Sequence, residues 1–572
     1  MYDIDKWTTK MEKSIYAHVV SVIKMSYIVK RRVRKYYYYY LIKQARVDGK
    51  PRIVSQIYLG TAERIERLVK ESQSRPPRIK SYPFGLPTAL IQAAEDLHWV
   101  EIVDSHVDKK KVKGPSVGEN LLFLILGRAS CPETDHPLSK DGTEEWFRES
   151  FLRFIWKVPY KLKSQHMLNQ MEYISDPETI RAIEQDLGKR LIEMGFTPST
   201  IFWDTTNFAT EIKEGELTKK GKSKKKRYDK NLVGLGLATS EENIPFMHEA
   251  YPGNKQDAHV FSEIIDVLTK RLEMLKVDLS ELVLVFDRGN NSAPNIKSVI
   301  GTPDNPKMNV VGGLKRDQIR DLMEVPLDQY EYIYTNDKGN EISSYRTERE
   351  VFDQHFTVVI SHNAASERKQ LHRYEEKKTK FLEEMPKLKE KYEKKGKGRA
   401  MGADGARKRA DELVPQDYQT IFKYEVSENP KELKFWVVKK KEEELKASFG
   451  KQAIFTDMHD WSSEKIVRTY NKKSLIEDDF KWLNNVLIVP MAPFYVWKEA
   501  SIRVHAFLCV TGLLMLRYTL WKTKELSSKL GLKGHRPLEE LKHIRVALVK
   551  GEGKKAQWVI EEMTKERAAL FS

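Results

Sequence analysis

Five consecutive apolar residues, Leu282–Phe286, run straight into Asp287, and this junction constrains the fold more than any other segment. A run so uniformly apolar predicts a buried strand, not a half-exposed one. It delivers a carboxylate to the strand exit, where a charge is costly unless a cation compensates it. Gly289 then permits a tight, exposed turn. The segments that follow predict a helix (APNIKSVIG) and another strand (MNVVGGLK). Upstream, STIFWDTTNF, NLVGLGLATS and IPFMHEAYPGN predict three antiparallel strands, and DAHVFSEIIDVLTKRLEML an amphipathic helix. Antiparallel strands followed by strand–helix–strand predict a mixed α/β sheet with carboxylates at strand ends.

At 572 residues the chain exceeds one ordinary core, and about two to four domains are expected. Lys and Arg total 99 against 82 Asp and Glu, a net charge of +17. This balance favours a polyanionic partner, nucleic acid first and an anionic membrane surface second. Two cysteines, Cys131 and Cys509, exclude a disulfide framework and a cysteine-rich zinc site. The first residues hold no apolar core of a secretory signal, so an intracellular chain is expected. The apolar stretch His505–Trp521 contains Arg517 and falls short of the roughly 20 residues that span a bilayer, which predicts a buried core helix and no membrane.

Six regions are expected. Residues 1–60 carry a β-hairpin turning at Asp48-Gly49. Within it, Tyr36–Tyr40 reads either as a stacking platform for bases or, more plainly, as alternating core and surface tyrosines. Residues 61–195 show helical periodicity and suit a DNA-end-binding module. Residues 196–320 form the first part of the sheet core. Residues 321–460 read as a β-rich insertion carrying a charged helical arm over about 363–415, a solvated arm by its Lys, Glu and Arg content. Residues 461–525 complete the core, and 526–572 read as a helical tail.

Asp204, at the end of IFWDTTNF, is an ordinary turn cap when taken alone. Together with Asp287 it could hold a pair of divalent ions, for which a third carboxylate is needed. One helix from about Ser462 to Asn485 offers Glu477, Asp478 and Asp479. Ile476, Phe480, Leu483 and Leu487 make its buried stripe. Tyr470, Lys473, Glu477, Lys481 and Asn484 share a neighbouring face, while Asp478 and Asp479 point elsewhere. Glu477 is either the third metal ligand or the partner of Lys473 and Lys481 in ordinary i,i+4 ion pairs.

These segments, with RVDGKPRIVSQIYLG, SVGENLLFLILGRA, DTTNF, YPGNKQDAHVF, FDRGNNSAPNIKSV, IVRTYNKKSLIEDDFKWL and PFYVWKEASIRVHAFLCVTGLLM, give the chain a resemblance to insertion-sequence transposases of the DDE type. The branch resembled carries its glutamate in a Tyr-x2-Arg-x3-Glu-x6-Lys signature. The resemblance covers roughly residues 25–525, in the family's order. It implies a ribonuclease H-like core interrupted by the insertion, with Asp204, Asp287 and Glu477 as catalytic ligands of two Mg²⁺ or Mn²⁺ ions. Tyr470 matches the signature tyrosine. Lys473 stands where arginine is expected, losing a bidentate phosphate grip, and Asn484 replaces lysine, with Lys481 one turn earlier. Arg288 and the loop residues Lys224, Lys225, Lys226 and Arg227 are the accompanying DNA-contact candidates. The implied activity is cleavage at transposon ends and strand transfer into target DNA, by a homodimer in a paired-end complex in a prokaryotic cytoplasm. A non-catalytic DNA binder and a nuclease that does not join are the competing expectations.

Overall fold

β-branched and aromatic residues cluster in short runs along this chain, and the computed structural model turns many of these runs into strands. It describes residues 26–47, 50–71, 78–108, 114–130, 137–159, 161–224, 229–302, 305–394, 401–550 and 556–571. The expected turn at Asp48-Gly49, Cys131 and the loop residues Lys225, Lys226 and Arg227 lie outside the described residues. The chain divides into two units, 1–256 with 267–277 and 474–572, and 257–266 with 278–473.

The first unit opens with a three-stranded antiparallel sheet, β1 (Ser26–Val33), β2 (Tyr36–Val47) and β3 (Lys50–Gly60), where a hairpin was expected. The helix Ala62–Glu71 follows it. A second antiparallel set is β4 (Thr200–Thr210), β5 (Asn231–Ser240) and β6 (Pro245–Pro252), in that order. Both faces of this meander are filled. A Cβ on Gly236 of β5 would sit 2.5 Å from the Trp203 ring of β4, so only glycine fits there. The helix Glu499–Lys522 is long and apolar enough to cross a membrane by length and composition, yet 78% of its apolar window is buried, as a core helix requires. A buried ion cluster ties the helix Pro177–Glu193 to β6: the Glu184 carboxylate meets His248 Nδ1 at 2.5 Å and Arg271 Nη1 at 2.7 Å.

Residues 526–572 depart from a helical tail. Arg545–Lys550 and Gln557–Ile560 are strands, and the former pairs antiparallel with Arg78–Pro83, a strand inside the region expected to be all helical. The alternation in RVALVK is short, and its partner lies hundreds of residues away, which hides the strand from local periodicity.

In the second unit, β7 (Val283–Phe286) pairs parallel with β8 (Asn309–Gly313), with the helix Ala293–Ile300 between them. Then come β9 (Glu331–Thr335), β10 (Glu341–Val351), β11 (Gln354–Asn363), β12 (Phe422–Glu428), β13 (Lys431–Val437) and β14 (Lys451–Thr456). In the order β9-β10-β11-β14-β8-β7, strands expected in the insertion (β9, β10, β11 and β14) share one sheet with the core strands β7 and β8. Hydrogen bonding of β14 to β8 is what joins them.

The charged segment is not a solvated arm. The helix Ala364–Glu393 buries Tyr374, Phe381, Met385, Leu388 and Tyr392 on one side. They pack with the helix Ala403–Leu413 and the β12–β13 hairpin into a core of their own, where Phe381 stacks on Phe422 at 4.8 Å. Alternating steps of three, four and seven residues carry this stripe through a sequence dominated by Lys and Glu.

Candidate active site

Strand β7 is buried throughout, and Asp287 is the first residue beyond it, in extended conformation before a single 3₁₀ turn, Arg288–Asn290. Its Oδ1 lies 3.0 Å from the Lys473 ammonium, with the Asp287 side chain 41% exposed and that of Lys473 14% exposed. Burial pushes this carboxyl's pKa up. Lys473, the Arg288 backbone N–H and the Arg288 charge outweigh that push and hold it below the usual range.

The surroundings of Asp287 are tied together by close contacts at Gly313, the end of β8. Asn291 donates from its Nδ2 to the Gly313 carbonyl at 2.5 Å. Tyr470, at 5% exposure, lies so close that a Cβ on Gly313 would meet its hydroxyl at 2.2 Å. The helix Ser463–Asn471 thus braces its tyrosine on β8, and Lys473 follows from a turn whose N–H donates to the Tyr470 carbonyl at 3.1 Å. Burial, with Arg288 nearby, lowers the pKa of the Arg316 guanidinium. One half-exposed carboxylate therefore sits with Lys473 and Arg288, a setting suited to a phosphate group.

Asp204 is not at a strand end. β4 continues for six residues beyond it, because Thr205, Thr206 and Phe208 suit a strand as well as the apolar residues before them. Asp204 pairs across the sheet with Leu237, is half-buried, and accepts the Thr205 N–H at 2.8 Å on Oδ1. The basic loop is pinned to the strand residues after it. Asn207 donates to the Lys222 carbonyl at 3.0 Å, and the exposed Lys224 places its ammonium 3.0 Å from Thr205 Oγ1.

The single helix expected over Ser462–Asn485 is two, Ser463–Asn471 and Ser474–Trp482, broken at Lys472 and Lys473. The proposed common face of Tyr470, Lys473, Glu477, Lys481 and Asn484 does not survive that break. Glu477 is exposed in the first turn of the second helix, which packs against β4, so Asp204 and Glu477 lie on touching elements of the first unit. Asp287, Arg288, Tyr470 and Lys473 belong to the second unit. Lys481 binds Asp478 at 2.6 Å, and the Asn484 side chain donates to the Phe480 carbonyl at 2.6 Å. Leu487, expected in the buried stripe, is 47% exposed, because the helix ends at Trp482.

Asp479 was expected only to point elsewhere than the face of Glu477, and it is fully buried. Its Oδ1 accepts from Arg517 Nε at 2.8 Å and Nη2 at 2.7 Å, and its Oδ2 accepts from the Thr239 hydroxyl at 3.1 Å. The same guanidinium lies 3.7 Å from the Trp482 ring centroid. Burial pushes the Asp479 carboxyl up, and Arg517 opposes it. The pair locks the Glu477 helix to Glu499–Lys522 and β5. Arg517, the lone charge in an apolar stretch, was the signal that a buried anion had to exist somewhere.

Among the described residues, no group of three His, Cys, Asp or Glu side chains is gathered as a metal site. The chain matches no protein-family model and no curated protein.

Proposed function

We propose that this chain is a DNA transposase of the DDE type, cutting at element ends and joining the freed strand to target DNA. The observation that carries the reading is Asp287: an ionised carboxylate leaving a fully buried strand, 3.0 Å from Lys473 and next to the Arg288 charge. The three-stranded meander and the parallel strand–helix–strand support a ribonuclease H-like interpretation of the core. On this reading Asp204, Asp287 and Glu477, all hard oxygen donors, would hold Mg²⁺ or Mn²⁺. When bound, the ions would activate a water and stabilise the leaving oxygen of a phosphodiester.

The chain's own groups have separate tasks. Lys473, as a compact ammonium, keeps Asp287 anionic and offers a point charge to a phosphate, where arginine would offer a planar fork. Tyr470 holds the Lys473 turn against β8 through its contact with Gly313. Arg288, exposed beside the acid, and Lys224, anchored on Thr205, are the candidates for backbone phosphates.

The test is incubation of the chain with labelled duplexes from both flanks of its coding region, Mg²⁺ and a supercoiled plasmid. Joined product is expected. Nicks without joining would replace the transposase by a nuclease, and retarded but uncut DNA by a binding protein.

A further inference from the structure

The two sides of the sheet β1–β3 are unlike. On one, Ile42 is 2% exposed, and Tyr58, itself 47% exposed like Tyr36 at 65%, is already engaged by the Tyr40 ring at 5.3 Å and by Arg64 of the helix Ala62–Glu71 at 5.7 Å. The register assigns the other side: Lys30 lies opposite Tyr39, Arg32 opposite Tyr37, and Leu41 opposite Ile57. Side chains directly opposite in an antiparallel pair share a face. Tyr37, at 46% exposure, and Ile57, at 48%, lie open there, and the Lys30 ammonium stands 4.0 Å from the Tyr37 ring centroid with the Arg32 guanidinium at 6.0 Å. The five-tyrosine run is thus divided, Tyr37 and Tyr39 to the open face and the other three to the opposite one.

We infer that this open face binds single-stranded nucleic acid, with unpaired bases on Tyr37 and Tyr39 and phosphates on Lys30 and Arg32. Aromatic rings on an open sheet accept bases of any sequence, because every base has a π-face. Within a duplex those faces are already stacked, so a duplex would use the cations alone and leave the rings without a role. Tyr37 and Tyr39 stand two residues apart on one strand, about 6.6 Å, a distance that one step of an unstacked strand bridges. The cations already beside Tyr37 hold charge and ring together before any ligand arrives. The chain's net charge of +17 matches a polyanion and not an acidic protein patch of limited size. The inference shares with the transposase reading only the premise that the partner is nucleic acid, and it does not depend on the three acids.

The test uses the full chain and fluorescence anisotropy with a labelled thymidylate 12-mer, free and as a duplex with its complement. Tyr37→Ala with Tyr39→Ala is expected to weaken single-strand binding about tenfold or more, and duplex binding by less than about twofold. Tyr37→Phe with Tyr39→Phe is expected to retain binding, since the ring and not the hydroxyl does the stacking. Lys30→Gln with Arg32→Gln should lower the slope of log affinity against log salt by about 1.4 for the single strand. An unchanged single-strand affinity in the alanine variant, with circular dichroism showing the fold intact, overturns the proposal. Equal losses on both probes overturn it as well. Loss of binding without any loss of cleavage would separate this face from the acids, whereas absence of cleavage in every variant would leave this face standing and remove the transposase reading.

Discussion

Glu184 and Asp287 each set a carboxylate against a cation at hydrogen-bonding distance, one sealed at 7% exposure and the other with its side chain 41% exposed. Burial pushes both carboxyls up, and both are nevertheless held below the usual range: Glu184 by His248 and Arg271, Asp287 by Lys473 and the Arg288 backbone. The sealed acid spends both oxygens on partners from β6 and from Arg271, so it has nothing left to offer a ligand. The open acid sits at a strand exit among further cations. Burial with two partners suits a structural ion cluster, and partial exposure in a cationic setting is what the proposed chemistry at Asp287 requires.

The largest effect that could break this comparison comes from Asp287→Asn. Cleavage of element-end DNA should fall by about three orders of magnitude or more, roughly 4 kcal/mol of barrier, while retention of DNA in a gel and the thermal midpoint stay near wild type. Retained turnover would remove Asp287 from the chemistry. Glu184→Gln should act the other way. It strands the buried Arg271 guanidinium and should lower unfolding free energy by about 3 kcal/mol in urea titration, with any activity loss following the folded fraction.

Asp457 sharpens the contrast, because it shows burial opposed only weakly. Burial lifts its carboxyl to about 6, against the Val310 N–H at 2.8 Å and the charge of His459. Its folded pKa lies above the unfolded value of about 3.9, so its contribution is full below that value and is lost as pH rises from about 4 to about 6. Unfolding titrations across that window should show a fall of about 2 kcal/mol that Asp457→Asn abolishes. The smallest effect belongs to Lys473→Gln. The Asp287–Lys473 contact is part-exposed and should contribute only about 0.5 kcal/mol. That contribution is present in full above the unfolded pKa of about 3.9 and is lost as pH falls through the depressed folded pKa of Asp287; a stability difference between variant and wild type that shrinks as pH falls below about 4 would bear this out.

Strands were legible where the apolar signal is local. Leu282–Phe286 and its exit residue Asp287 could be read directly, and so could the buried helix around His505–Trp521. Asp204 was harder, since threonines serve turns and strands alike and the strand ran on past the acid. The break at Lys472 and Lys473 was invisible because lysine is an ordinary helix residue, and the bracing of Tyr470 on Gly313 depends on tertiary contact. Asp479 needed its partner Arg517, which is distant in sequence, before its burial made sense. The stripe Tyr374, Phe381, Met385, Leu388 and Tyr392 was present in the sequence but outweighed by the surrounding charge.

The pairing of Arg545–Lys550 with Arg78–Pro83 has a consequence for synthesis. Arg545 stands opposite Pro83, a separation of 545 − 83 = 462 residues, and among the described residues the order of that small sheet gives Arg78–Pro83 no other strand partner. At about 5–20 residues per second a ribosome takes on the order of half a minute or more to supply the missing strand. Until then the backbone donors and acceptors of Arg78–Pro83 form an open edge, the kind that recruits strands from other chains. The stretch 278–473, by contrast, holds both members of the pairs β7–β8, β8–β14, β11–β14, β10–β11, β9–β10 and β12–β13. Nascent chains arrested before Arg545 therefore carry a finished sheet in one unit and a sticky edge in the other.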